Sequence, residues 1–338
     1  MSRPPTFRPP SGVRAYRLRT ARGEFAVLDS APQPQQPREG RPQEPPAKGT
    51  ALLLPGFTGS KEDFIALHGP LAAAGYRTVA VDGRGQYETP GPRDDESAYT
   101  QGELAQDVLA QAAALGGPVH LVGHSLGGQV ARAAVLLDAA PFLSLTLMSS
   151  GPAQISASQR ERVKLLRDAL AVMSMAEVWE AIQAMEPPME PPEETDTGAP
   201  GPDHGGPDPA HGPDHGAPDP APGPDHGAPD LDPGLDNRVD LRRRWLGTAP
   251  AQLVATGRQL CTEPDRVAEL AALALPVHVL SGARDDTWPV PLLDDMAIRL
   301  GAHRTVVRGA EHSPNTDRPL DTARALAVFW DRCRPQSL

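Results

Sequence analysis

Short apolar runs and helical periodicities alternate along the chain. "VRAYRLRT" and "EFAVLDSA" predict an opening antiparallel pair of strands, and "TALLLPGF" is a continuous apolar run of the kind found in strands buried on both faces. A helical stretch near "KEDFIALHGPLAAAG" leads to a second buried strand, "RTVAVDGRG". In "TQGELAQDVLAQAAAL", Leu104, Val108, Leu109, Ala112 and Leu115 fall on one helical face. The strand "PVHLVGHS", the helix "GQVARAAVLLDA" and the strand "LSLTLMSSGP" follow, and "LPVHVLSGARDD" and "HRTVVRGAEH" supply two more apolar runs near the end. Such alternating βα units predict an α/β protein with a doubly wound, mostly parallel sheet and active groups at the carboxyl ends of the strands.

Two stretches break the pattern. Residues 31–49, "APQPQQPREGRPQEPPAKG", are rich in Pro and Gln without apolar period and read as a flexible loop between two strands. Within 186–237, an eleven-residue unit recurs from Gly201, Gly212 and Gly223, as in "GPDHGAPDPAP". Pro removes backbone donors, Gly raises chain entropy and almost nothing apolar is available for burial, so this insert is expected to be disordered. It carries His204, His211, His215 and His226 among aspartates. Imidazole and carboxylate can ligate metals, yet repeat expansion alone explains the spacing, and no specific metal site is expected.

The insert also accounts for the charge. Of 43 acidic residues 13 lie in it, without Lys or Arg, leaving 30 acidic against 32 basic elsewhere, a net of +2 against -11 for the whole chain. The remainder therefore has no marked acidity, and no basic patch points to nucleic acid. At 338 residues and 39% hydrophobic content the chain suits one large domain with insertions. Cys261 and Cys333 show no disulfide or metal spacing, and neither a signal-peptide run nor a membrane-length apolar stretch is present, so a soluble, cytoplasmic protein is expected.

Chemistry concentrates at "VHLVGHSLGGQV". Gly123 and Gly127 flank Ser125 at two residues on each side, the G-x-S-x-G pattern, between a buried strand and a helix. Ser125 could simply cap that helix, but a nucleophile on a tight turn requires small neighbours, a base, an orienting acid and oxyanion donors. His312 follows the last strand and so lies on the same rim as Ser125. His303 precedes that strand, His120 sits within a strand and is expected to be packed, His124 occupies the variable elbow position, and His68 is expected in a surface helix or loop without a chemical role. Asp285 and Asp286 both follow the strand "VHVL", and only one can accept the Nδ1 proton of His312.

Apart from the two low-complexity stretches, the chain resembles the α/β-hydrolase family through "LLLPGFTGS", "GHSLGG", "SGARDDTWP" and "GAEHSPN", which occur in the family's order. The resemblance implies a triad of Ser125, Asp285 and His312, with the spacing from Gly282 favouring Asp285. It further implies an oxyanion hole from the backbone N–H groups of Phe57 and Leu126; Pro55 stands where the family commonly has His, which removes a loop-supporting side-chain hydrogen bond. Asp82 and Arg84 match a turn that usually braces neighbouring loops; Tyr87, nearby in the same stretch, could face the pocket, though nothing in the sequence places it there. The family often inserts a helical cap, here expected over 152–247 with the repeat insert looping out of it, between core segments 1–151 and 248–338. In the cap, Ser158 and Glu161 suggest a capping box; Val163, Leu166, Leu170 and Met173 share a helix face; and Met173, Met175, Trp179, Ile182 and Met185 are expected mainly to pack the cap onto the core.

The function implied is hydrolysis of a small carboxylic ester or related acyl substrate through an acyl-enzyme, with no cofactor or metal required. Thioesters, lactones and carbon–carbon bonds beside carbonyls suit the same triad, and a ligand-binding scaffold without turnover is the alternative of another class.

Overall fold

A computed structural model describes residues 2–30, 47–185 and 237–333. The Pro/Gln-rich stretch lies outside the described residues except for 47–49, and so does the repeat insert with its four histidines except for Asn237.

The described strands are β1 (Arg14–Thr20), β2 (Gly23–Asp29), β3 (Gly49–Leu54), β4 (Tyr76–Val81), β5 (Val119–His124), β6 (Phe142–Met148), β7 (Val277–Gly282) and β8 (His303–Val307). They form one eight-stranded sheet in the order β1-β2-β4-β3-β5-β6-β7-β8. β1, β2 and β4 pair antiparallel, and every pairing from β4 through β8 is parallel. This matches the alternation read from the sequence: β3, β5 and β7, with no polar alternation, are almost wholly buried.

Helices α1 (His68–Ala73), α2 (Gln101–Ala114) and α3 (Leu126–Leu137) follow β3, β4 and β5. Between β6 and β7 come α4 (Ala157–Leu170), α5 (Met175–Met185), α6 (Arg238–Gly247), α7 (Pro250–Thr262) and α8 (Val267–Ala271). Helices α9 (Val290–Leu300), α10 (Pro314–Asp317) and α11 (Pro319–Arg332) complete the chain. One core cluster joins α2, α3 and α9 to the sheet through residues such as Val108, Val130 and Leu293. A second places α1 and α11 on Leu53, Val122 and Leu280 through Leu71, Leu326 and Trp330. A third unites Met175, Val178, Trp179, Leu241 and Trp245 of the inserted helices with Phe7 and Leu253.

Three expectations change. His68 is fully buried, not at the surface, because the 3-10 turn Lys61–Leu67 turns it inward so that Nδ1 lies 2.6 Å from Thr78 Oγ1. Helix α4 starts earlier than the Ser158/Glu161 capping box requires: Ser156 is its N-cap residue, and the Ser156 hydroxyl donates to the Asp286 carbonyl at 2.8 Å. Of the methionine set, Met175 and Trp179 are buried and Met173 and Ile182 pack beside them, but Met185 is 76% exposed at the end of α5.

Candidate active site

The elbow is built by the crowding of two turns. β5 lies between β3 and β6, and at its carboxyl end Ser125 adopts φ 54°, ψ -119°, a region that L-residues rarely occupy. Such a conformation costs roughly 1–3 kcal/mol and persists only where surroundings impose it. Ser125 N–H donates to Met148 O at 2.9 Å, and Gly128 N–H donates to Ser125 O at 2.9 Å. A Cβ on Gly123 would lie 2.3 Å from Gly127 O, and one on Gly127 would lie 2.5 Å from both Leu54 O and Pro55 O. Helix α3 thereby approaches β5 and the end of β3 closer than any side chain permits.

The structure brings Ser125, His312 and Asp285 together from the ends of β5, β8 and β7. His312 Nε2 is 3.1 Å from Ser125 Oγ, and its Nδ1 is 3.0 Å from each Asp285 carboxylate oxygen. The Asp285 side chain is wholly buried, and its Oδ1 also accepts from the Thr287 and Trp288 amides at 2.8 and 3.1 Å. Asp286 points elsewhere: its side chain is 65% exposed and accepts from Gln159 Nε2 at 2.5 Å. Adjacent residues thus take opposite directions, as expected in a tight turn.

Behind His312, His124 Nε2 donates to the His312 carbonyl oxygen at 2.9 Å. Burial, joined by the neighbouring His312, pushes His124 down to about 4, so this imidazole stays neutral. Trp288 is fully buried, donates from Nε1 to Ala153 O at 2.9 Å, and sits with its ring centroid 6.2 Å from that of His312.

The turn after β3 lies against the elbow, since a Cβ on Gly56 would be 3.1 Å from Ser125 Cβ. Phe57 lines the cavity in front of Ser125, while Leu126 opens α3 with its side chain in the core. In this turn, which has Pro55 where the family commonly has His, Gln86 provides bracing. Its Nε2 donates to Gly56 O at 3.1 Å while its Oε1 accepts from Gly83 N–H at 2.9 Å.

Asp82 and Arg84 brace loops in this structure. Asp82 accepts from Lys61 N–H at 2.7 Å and Lys61 Nζ at 2.9 Å, and Arg84 grips Asp107 through Nε at 2.8 Å and Nη2 at 2.5 Å. Lys61 Nζ also reaches Glu62 at 2.7 Å and Glu88 at 2.8 Å. Burial works against the Lys61 charge, but Asp82, Glu62 and Glu88 together more than offset it and hold the ammonium above its ordinary value. Burial raises Asp82, with Lys61 opposing. Tyr87 does not line the cavity. It is held where the core meets the inserted helices, its hydroxyl accepting from Arg243 Nε at 3.1 Å and its ring 4.7 Å from Lys61 Nζ.

The cavity at Ser125 has a volume of about 160 Å³, with Phe57, Ile155, Val163 and Leu260 facing Thr58, Asp63 and Gln159. Asp63 is buried, and burial raises its carboxyl against the opposing Arg244, whose Nη1 donates to Oδ1 at 2.9 Å. Sequence reasoning did not find Asp63, Gln86, Arg244 or Trp288, because each acts through a partner distant in the chain. Among the described residues no group of three or more His, Cys, Asp or Glu is placed to hold a metal ion, and no helix is long and apolar enough to cross a membrane.

Known proteins place this geometry in a wider group. The sequence pattern of the alpha/beta hydrolase family matches residues 51–325. A candidate carbamate hydrolase, RutD, of Variovorax paradoxus (strain S110) is 37% identical over 107 residues, 31% of this chain, and the match spans only 40% of that relative's length. A thermophilic esterase from Thermogutta terrifontis superposes with a TM-score of 0.62 at 17% identity, covering 95% of this chain and 100% of the esterase. A carboxylesterase structure from Nitrososphaera gargenis gives a TM-score of 0.62 at 16% identity, covering 94% of this chain and 98% of the other. These low identities speak to the fold, whereas the family match extends over most of the sequence: the chain belongs to the alpha/beta hydrolase family.

Proposed function

We propose that this protein is a serine hydrolase that cleaves small carboxylic esters or related acyl substrates through an acyl-enzyme on Ser125. The observation that carries the reading is the line from Asp285 through His312 to Ser125, at 3.0 and 3.1 Å, opening onto a cavity beside the Phe57 turn. His312 Nε2 takes the Ser125 proton as Oγ bonds to the substrate carbonyl carbon, and the carbonyl π electrons move onto oxygen. The Phe57 and Leu126 amides stabilise that oxyanion, each such donor contributing roughly 10²- to 10³-fold in rate. Collapse expels the alcohol, which receives the proton from His312. Water, deprotonated by His312, then attacks the acyl carbon; the bond to Ser125 Oγ breaks as the acid leaves, and His312 returns the proton to Oγ. Asp285 holds Nδ1–H in place throughout, so Nε2 remains the basic nitrogen.

The resemblance to a candidate carbamate hydrolase favours including carbamates among the related substrates. A fluorophosphonate probe followed by peptide mapping, together with rates on a panel of acyl esters, thioesters, lactones and carbamates, tests the proposal. Covalent labelling at Ser125 and turnover abolished in Ser125→Ala are expected. A folded protein that neither labels nor turns over any of the panel would favour a ligand-binding scaffold.

A further inference from the structure

We propose that the N-terminal arm, Ser2–Phe7, is a specificity-determining wall of the Ser125 pocket that restricts the acid part of the substrate to short acyl groups; this rests on the serine-hydrolase reading above. Nothing in the arm's sequence is periodic, and it forms no strand or helix, yet it is fastened at three points. Ser2 lines the same cavity as Ser125 and His312, and its carbonyl accepts from Arg244 Nη2 at 2.5 Å. The Pro4 carbonyl accepts from Asn237 Nδ2 at 2.5 Å. Phe7 is buried with Trp179, Leu241 and Trp245, its ring edge-on to Tyr87 at 6.1 Å and 5.6 Å from the Arg244 guanidinium.

Arg244 makes the arm part of the site. It is fully buried and ion-paired to Asp63, which lines the pocket, so its remaining N–H groups need acceptors inside the protein. The Ser2 carbonyl is one such acceptor, and the pair therefore holds the arm against the cavity. The cavity, partly open to solvent, has a volume of about 160 Å³, close to the roughly 150 Å³ of a cavity that holds one benzene, which is room for an acetyl to butyryl group and too little for a medium-length chain. The arm blocks extension on the side where Arg244 and Asp63 meet.

The test is kcat/KM on p-nitrophenyl acetate, butyrate, octanoate and laurate, each series normalised to its own acetate value, for the full chain, a variant lacking residues 2–7, and Ser2→Trp. The full chain is expected to fall by about 10-fold or more from butyrate to octanoate, a discrimination within reach of a few methylenes meeting a pocket wall. Deletion should flatten that fall to about 3-fold or less, and Ser2→Trp should move it to between acetate and butyrate. Equal efficiency on butyrate and octanoate in the full chain overturns the proposal, as does an unchanged profile in a deletion variant that still unfolds cooperatively. If the deletion prevents folding, Ser2→Trp decides, and an unaltered profile there is fatal. Fluorophosphonate labelling of Ser125 in the full chain separates the two readings: labelling with a flat profile sinks only the arm's role, whereas absence of labelling and turnover sinks the hydrolase reading.

Discussion

Histidines occupy two contrasting regions of the sheet. At the carboxyl rim, His312 keeps 27% of its side chain exposed and spans Asp285 and Ser125 with its two nitrogens. Beneath α11, His120 is 1% exposed and stacks on Trp330 at 5.1 Å with an interplanar angle of 20°. His278 packs on Phe329 at 4.7 Å, and His303, 4.9 Å from His278, stacks on the same ring at 5.8 Å and 5°. Burial drives His120 down to about 4; burial, then His303, Arg304 and Arg332, drive His278 down to about 3. On the proposed mechanism the same side chain serves at the rim as a proton relay, whereas in the interior it is a neutral aromatic wedge. What separates them is the partner on each nitrogen: a carboxylate and a hydroxyl at the rim, and single hydroxyls, Ser144 and Thr305, in the interior.

The sharpest way to break the contrast is at the rim. His312→Ala is expected to lower kcat for an acyl ester by about 10⁴- to 10⁶-fold, because losing one member of a triad removes nearly all it supplies. A loss under 10-fold, measured by steady-state rates on purified folded protein, would show that the rim histidine is no relay. Next, Asp285→Asn should cost about 10⁴-fold in kcat by disfavouring the needed tautomer, while Asp286→Asn should stay within about 3-fold. The reverse order would move the orienting role to the exposed carboxylate.

The smaller effect concerns the interior set and is read as stability against pH. A histidine whose folded value is depressed binds fewer protons folded than unfolded between the folded value and about 6.5, so unfolding free energy falls as pH falls through that window. Its stabilising contribution is present above the unfolded value and is lost on acidification, by up to about 1.4 kcal/mol per pH unit for each histidine. Asp63 and Asp82, raised by burial, act in the opposite sense, so the comparison must be made between variants and not along one curve. His120→Phe should flatten the slope of urea-derived unfolding free energy between pH 6.5 and 4 by about one histidine's share, with catalytic rate at pH 7.5 changed less than about 2-fold. Parallel curves for the two proteins would mean that His120 is not a buried neutral group.

Much of this was legible in the sequence because it is local. Largely apolar runs of strand length identify β3, β5 and β7, and the glycines around Ser125 announce a turn whose crowding needs no distant information. His120, embedded in such a run, could be read as packed for the same reason. His68 could not: its neighbours Gly69 and Pro70 suggest a surface bend, and only the contact with Thr78 on β4 explains its burial. Gln86, Arg244 and the Ser2–Phe7 arm were hidden by the same kind of separation. Arg244 meets Asp63 across 181 residues and Ser2 across 242, distances at which composition and period carry no signal. The choice between Asp285 and Asp286 rested on resemblance in the sequence, and in the structure it becomes a matter of side-chain direction.

The 187-residue separation of Ser125 from His312 has a kinetic meaning. Closing a long loop costs chain entropy before any contact repays it, and parallel pairings such as β6 with β7 must join distant segments first. The Ser125–His312 hydrogen bond is therefore expected to form late in assembly, once β7 and β8 have added to the sheet edge. During refolding, reactivity that depends on this contact should lag behind recovery of secondary structure, making it a clock for the completion of long-range order.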